Sequence, residues 1–187
     1  MNETLRQVVH LLLGLLIAGM IWVLGREIST LILAVGIFFG LMVADAVLRG
    51  YFVPFFSPIL GMLERTDAVP GKGAFFFTLS ALFCLLIFEM ETVVIAIIVL
   101  SLLDSLSTII GMRWGKIRIY NGKSVEGSLA GAIASLAAIH FLLPLEMAVI
   151  VACAAGIVEL VSPVDDNLTI PVSVCVILSL PLTLIIP

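Results

Sequence analysis

The chain has 187 residues, 62% of them hydrophobic and only 12% charged, with a mean hydropathy of +1.30. A water-soluble domain carries about twice that share of charge and cannot hide so much apolar side chain in one core, so the composition leaves lipid as the solvent. Nine basic residues against thirteen acidic ones, a formal net charge of −4, form no basic domain and argue against a nucleic-acid partner.

A helix needs roughly 20 apolar residues to cross the hydrocarbon. The first such run is Leu5 to Leu24, which reads as a span because no small-residue cleavage site and soluble body follow it. Ile28 to Val47 is the second. A loop carrying Arg49, Pro54, Pro58, Glu64, Arg65, Asp67, Pro70 and Lys72 then interrupts the pattern. Inside it, Tyr51 to Leu63 is aromatic and apolar but broken by two prolines, which predicts an interfacial segment. Gly73 to Phe88 and Thr92 to Gly111 follow. The polar stretch Met112 to Glu126 separates these from Gly127 to Leu143, Met147 to Val161 and Leu168 to Ile186. The expectation is an all-α, polytopic membrane protein of seven spans forming one domain, residues 1–187. Cys84, Cys153 and Cys175 lie inside apolar runs without paired spacing and read as packing residues.

With seven spans, Arg6, Arg49, Arg65, Lys72, Arg113, Lys116, Arg118 and Lys123 share the side of the N-terminus, and only Arg26 lies opposite. The opposite loops carry Glu27, Glu89, Glu91 and Glu146. By the positive-inside rule the N-terminus is cytoplasmic.

Ionisable groups inside a membrane cost about 2.5 to 3.5 kcal/mol each on insertion scales and call for a reason. His10 stands one turn after Arg6 on the same face, and a place among the headgroups is one account of it. Asp45 precedes Arg49 by four residues, the spacing of a helical ion pair. Asp104 is followed by Ser105, Ser107, Thr108, Gly111 and Gly115, and residues 104, 108, 111 and 115 share one helical face. Gly111 and Gly115 form a GxxxG pair that admits another helix, within the chain or in a homodimer, but packing gives no account of the aspartate.

The loop after Asp104 runs through Gly115-Lys116 to Asn121-Gly122-Lys123-Ser124-Val125-Glu126-Gly127-Ser128, where the fifth span opens. Lysine, hydroxyls and glycines at a helix N-terminus suggest a phosphate cradle, although a cap at Ser124 and a topological lysine explain them as well. Glu159 and then Asp165-Asp166-Asn167 close the series. Adjacent carboxylates suit Mg²⁺, or else Asn167 caps the last span and the aspartates favour its positive end. The assigned topology collects His10, Asp104, Lys123, Glu126, Glu159, Asp165 and Asp166 toward one membrane surface.

The series Asp104-x6-Gly111-x3-Gly115-Lys116 followed by Lys123-Ser124-x-Glu126-Gly127-Ser128 resembles the dolichol kinase family. That family includes polyprenol, phytol and CTP-dependent diacylglycerol kinases and is related to the CDP-diacylglycerol synthases. Glu159 with Asp165-Asp166-Asn167-Leu168-Thr169-Ile170-Pro171 is similar to the kinase branch, and the Gly-His-Gly-Gly type ending of the synthases is absent. The resemblance is specific from Asp104 to Pro171. Where the kinases often carry Arg-Lys-x-x-His in the first helix, this chain has Arg6-Gln7-Val8-Val9-His10, without the lysine.

The resemblance implies transfer of the γ-phosphoryl group of CTP to a lipid alcohol with Mg²⁺ or another divalent cation, on the cytoplasmic face. It implies that Lys123 meets the phosphates and that Asp165 and Asp166, with Glu159, hold the metal. Ser124 and Ser128 would donate to the nucleotide, in a site also formed by Gly111, Gly115, Lys116, Gly127 and Asn167. Asp104 or Glu126 would add a metal contact or accept the alcohol's proton. A cytidylyltransferase making a CDP-lipid would use the same middle motif and leave Asp165-Asp166-Asn167 unexplained. A transporter or channel would show an internal repeat and midplane polar groups, neither of which the sequence contains. A structural subunit of a larger complex would bind no nucleotide.

Overall fold

Long runs of Leu, Ile, Val, Ala and Phe, uninterrupted by a polar face, leave the backbone to satisfy its own hydrogen bonds, and it does so as helix. A computed structural model describes residues 3–58, 71–119 and 122–180, in which the regular structure is helical apart from one isolated bridge. The helices are α1 (Glu3–Leu48), α2 (Lys72–Ile87), α3 (Met90–Trp114), α4 (Val125–Ile139), α5 (Leu145–Val161) and α6 (Asp166–Ser179). The end of the expected last span, the loop residues Glu64, Arg65, Asp67 and Pro70, the second half of the interfacial segment and Asn121 lie outside the described residues.

The described part of each expected span is mainly helical, with one difference in connection. The first two spans form a single element of 46 residues, broken at Gly25, whose φ of 76° and ψ of 176° are open to glycine and costly for other residues. Arg26 donates across this break to the Phe88 carbonyl, tying it to the end of α2. Two helices, α1 and α3, are long and apolar enough to cross a membrane, while α2, α4, α5 and α6 have 14 to 17 residues.

Helix α3 is the axis of the packing and touches each of the other five. Its Val93, Ile97, Leu100 and Leu103 are fully buried. Helix α4 lies antiparallel along it because small residues recur every turn on the facing side. A side chain at Gly127 would sit 2.3 Å from the Ser107 carbonyl oxygen, and one at Gly131 would sit 2.7 Å from that of Leu103. One turn further, the Ser135 hydroxyl donates to the Val99 carbonyl at 3.4 Å. Such close backbone approach adds dispersion contacts along the whole α3–α4 seam.

The first arm of α1 also runs antiparallel to α3. Gly14 is the point of closest approach, where a Cβ would fall 1.9 Å from the Ser101 hydroxyl. The second arm, residues 26–48, packs mainly through Ser29 and Leu33 and exposes Leu31, Val35, Phe38, Phe39 and Met42. At its end Asp45 forms the expected ion pair with Arg49 at 2.7 Å, and beyond it Tyr51, Phe52, Phe55 and Phe56 are exposed. Cys84 and Cys175 are buried, Cys153 is exposed, and all three are free thiols.

Candidate functional site

The antiparallel packing brings the start of α1, the last turns of α3, the start of α4 and the start of α6 to one end of the bundle. There they enclose a cavity of about 940 Å³. Among the described residues, six buried side-chain polar atoms find no hydrogen-bond partner. Five of them belong to residues lining this cavity: Arg6 Nε, Gln7 Oε1, His10 Nε2, Asp166 Oδ1 and Asn167 Oδ1. Buried polar atoms are nearly always paired, so a cluster of orphans around one space marks where a polar ligand or ordered water belongs.

Three residues after Ser101, at this end of α3, Asp104 faces His10. The His10 Nε2 and Asp104 Oδ2 atoms are 3.5 Å apart, without a hydrogen bond between them. The imidazole is held edge-on against Phe77 of α2, with ring centroids 5.1 Å apart. Asp104 meets no lysine or arginine within ion-pair distance among the described residues. The other four carboxylates in the cavity each meet one or lie beside one.

Lys123 is delivered by a short ladder in which Ile119 N–H bonds to the Lys123 carbonyl and Val125 N–H to that of Ile117. A left-handed Gly122, φ 75°, helps close the turn. Its ammonium donates to Asp166 Oδ2 and to the Glu159 carbonyl, both at 2.5 Å, and lies 3.7 Å from Glu159 Oε1. Burial raises the Asp166 carboxyl to about 6, against the pull of Lys123 in the other direction. Arg118 crosses the same loop, donating to the carbonyls of Gly111 and Gly122. Lys72 approaches Asp165 at 3.7 Å from the first turn of α2.

Several expected roles change in the structure. The Glu159 carboxylate is enclosed by the chain's own groups. It is 3% exposed, accepts from the Ser107 hydroxyl at 3.1 Å and from the Ser128 hydroxyl, and pairs with Lys123, so its oxygens are committed within the chain. Among the described residues no three His, Cys, Asp or Glu side chains converge at metal-binding spacing, so Glu159, Asp165 and Asp166 do not form one cluster. Ser128 is accordingly a carboxylate-binding hydroxyl inside the bundle. Ser124 caps α4 by accepting from Gly127 N–H at 3.1 Å and fills the space left by Gly111, Gly115 and Gly127. The GxxxG pair is therefore used within the chain.

The backbone N–H groups that open α4 are spent internally as well. Val125 N–H goes to Ile117 and that of Gly127 to Ser124, so the loop offers an anion side-chain cations rather than a backbone cradle. Glu126 accepts from Ile117 N–H, and its own backbone N–H foremost holds its carboxyl below the usual range. It does not line the cavity, and neither does Lys116. At α6 the cap is Asp165, which accepts from Asn167 N–H at 3.2 Å, two residues before the asparagine expected there.

Arg6, Lys72 and Arg118 line the cavity, and for Lys72 and Arg118 the sequence offers only a topological role. Gln7, which stands where the resembled kinases carry lysine, is 3% exposed and lines the cavity as well. The spacing Arg6-Gln7-x-x-His10, which puts three polar groups on one face of an otherwise apolar helix, was the available signal.

Over 184 residues the chain is 36% identical to the uncharacterized protein MJ1137 of Methanocaldococcus jannaschii, an alignment covering 96% of this chain and 94% of that protein. No family model matches the chain. No solved structure matches it. At that identity over nearly the full length of both proteins, the chain belongs to one family with the Methanocaldococcus jannaschii protein.

Proposed function

We propose that this protein is a CTP-dependent lipid-alcohol kinase, a seven-span integral membrane enzyme whose N-terminus and site face the cytoplasm. The observation that carries the reading is the cavity at the loop end of the bundle. Cations from α1, α2 and the α3–α4 loop meet there with the aspartates of α3 and α6, around five orphaned polar atoms. Phosphoryl transfer asks a protein for position and charge more than for covalent chemistry, and this arrangement offers both.

Two of the three Lys123 N–H donors are used within the chain, which leaves one for a phosphate oxygen, with Arg118 and Lys72 close by. The unpaired oxygens of Asp166 and Asn167 at the start of α6 are the ones left available to a divalent cation. Magnesium takes one or two protein oxygens and completes its shell from phosphates and water, so such a site is adequate without Glu159. Bound there, the cation would neutralise phosphate charge. For the topology, the support is the set of helical segments together with eight of nine basic residues on one side of a seven-span arrangement.

Equilibrium binding of CTP to the purified protein in detergent with Mg²⁺ tests the reading. Binding should saturate, and Lys123→Ala should weaken it about thirtyfold, the equivalent of about 2 kcal/mol for a lost charged contact. Folded protein that binds no CTP would overturn the assignment.

A further inference from the structure

The cavity has two chemically different corners. One is cationic, around Lys123, Arg118 and Lys72, and suits phosphates. The other is the pairing of His10 with Asp104, which differs in charge and in shape. A second anion would be repelled by Asp104, whose ion-pair partner among the described residues is a histidine. A hydroxyl, by contrast, is donor and acceptor at once. It can donate to the aspartate and accept from the imidazole, and it would satisfy the unpaired Nε2. From this corner an apolar wall continues along α1 and α2, formed by Leu13, Ile17 and Phe77, all lining the same cavity. Leu13 is 53% exposed, so the wall reaches the outer surface of the bundle between the two helices.

We infer that the seam between α1 and α2 is the acceptor subsite, in which a membrane alcohol seats its hydroxyl between His10 and Asp104 and lays its tail along Leu13, Ile17 and Phe77. The choice of an alcohol rests on the proposed kinase reading, whereas the position of the subsite rests on the geometry. Gly14 fixes it, because the contact with Ser101 sets the α1–α3 spacing one turn from His10. Gln7, buried on the same side with Oε1 unpaired, stands ready to accept from a second hydroxyl or a water at the mouth. Lateral entry between two helices spares a long tail from passing through water.

Photolabelling tests this without nucleotide, so that failure of the kinase reading and failure of the subsite are distinguishable. Two probes are used, an isoprenoid alcohol and a diacylglycerol, each with a diazirine in its tail, alongside the methyl ether of each. Label from one alcohol should appear in the α1 and α2 peptides that hold Leu13, Ile17 and Phe77, and should fall about fivefold for the ether, one hydrogen bond's worth. His10→Gln and Asp104→Asn should each lower it by a similar factor. Ile17→Trp should abolish it while leaving CTP binding intact. Which alcohol labels names the source. Label spread over the exposed arm 26–48, or label in α1 and α2 that ignores the hydroxyl, would overturn the subsite even if phosphoryl transfer is found.

Discussion

Replacing Glu159 with alanine removes the group on which α3, α4 and the loop lysine converge. The carboxylate accepts from Ser107 and Ser128 and pairs with Lys123, all three partners largely buried. Hydrogen bonds to a charged group contribute about 1.5 to 3 kcal/mol each, part of which is offset by no longer desolvating the carboxylate. Breaking a buried ion pair costs about 3 to 5 kcal/mol when the partner is stranded. Here Lys123 keeps Asp166 and the carbonyl of residue 159, which places the cost near the lower end, about 3 kcal/mol. For a chain of this size that is a fall in Tm of about 6 to 12 °C. Glu159→Gln keeps the volume and one acceptor and should lose about half as much. A thiol-reactive dye reads the transition in detergent, because Cys84 and Cys175 are buried until unfolding; Cys153, which is exposed, is first changed to serine. A Glu159→Ala protein melting within about 2 °C of its parent would mean that the carboxylate is not the junction described here.

Other expectations follow from the same packing. Gly131→Val places methyl groups against the Leu103 backbone, 2.7 Å from a Cβ, and should destabilise by about 3 kcal/mol in the same melting assay, whereas Gly36→Ala, with nothing near, should be nearly silent. Ser124→Ala removes the α4 cap and should cost about 1 kcal/mol, with a larger loss of CTP binding only if the loop carrying Lys123 shifts with it. Lys72→Ala breaks a half-exposed pair with Asp165 and should cost less than about 1 kcal/mol. Membrane-impermeant thiol reagents on single-cysteine proteins should label Lys116→Cys from the cytoplasmic side and Glu146→Cys from the other; labelling of both from one side would break the seven-span topology.

The helices were legible in the sequence because long apolar runs have few alternatives to helix, and the described part of each expected segment is mainly helical. The break at Gly25 keeps the first two expected spans within one element, which composition does not reveal, since it is a matter of a single backbone torsion. Lys123, Asp104, Asp166 and His10, singled out by residue type, all line the cavity, but residue type does not disclose their partners. Glu159 reads as a metal ligand in sequence because its neighbours in the chain are acidic. Its neighbours in space are two serines on other helices, and only the antiparallel pairing of α3, α4 and α5 brings them there. The same holds for Arg118 and Lys72, which read as topological charges and also line the cavity.

The most direct test of the account is label transfer in detergent with Mg²⁺, run once with CTP labelled at the γ-phosphate and once at the α-phosphate, against membrane alcohols and phospholipids. The account predicts label in an alcohol from the γ-position alone, lost in Lys123→Ala and Asp104→Asn proteins that still fold. Label from the α-position alone would make the protein a maker of CDP-lipids, and label from neither would contradict an enzymatic role for the cavity.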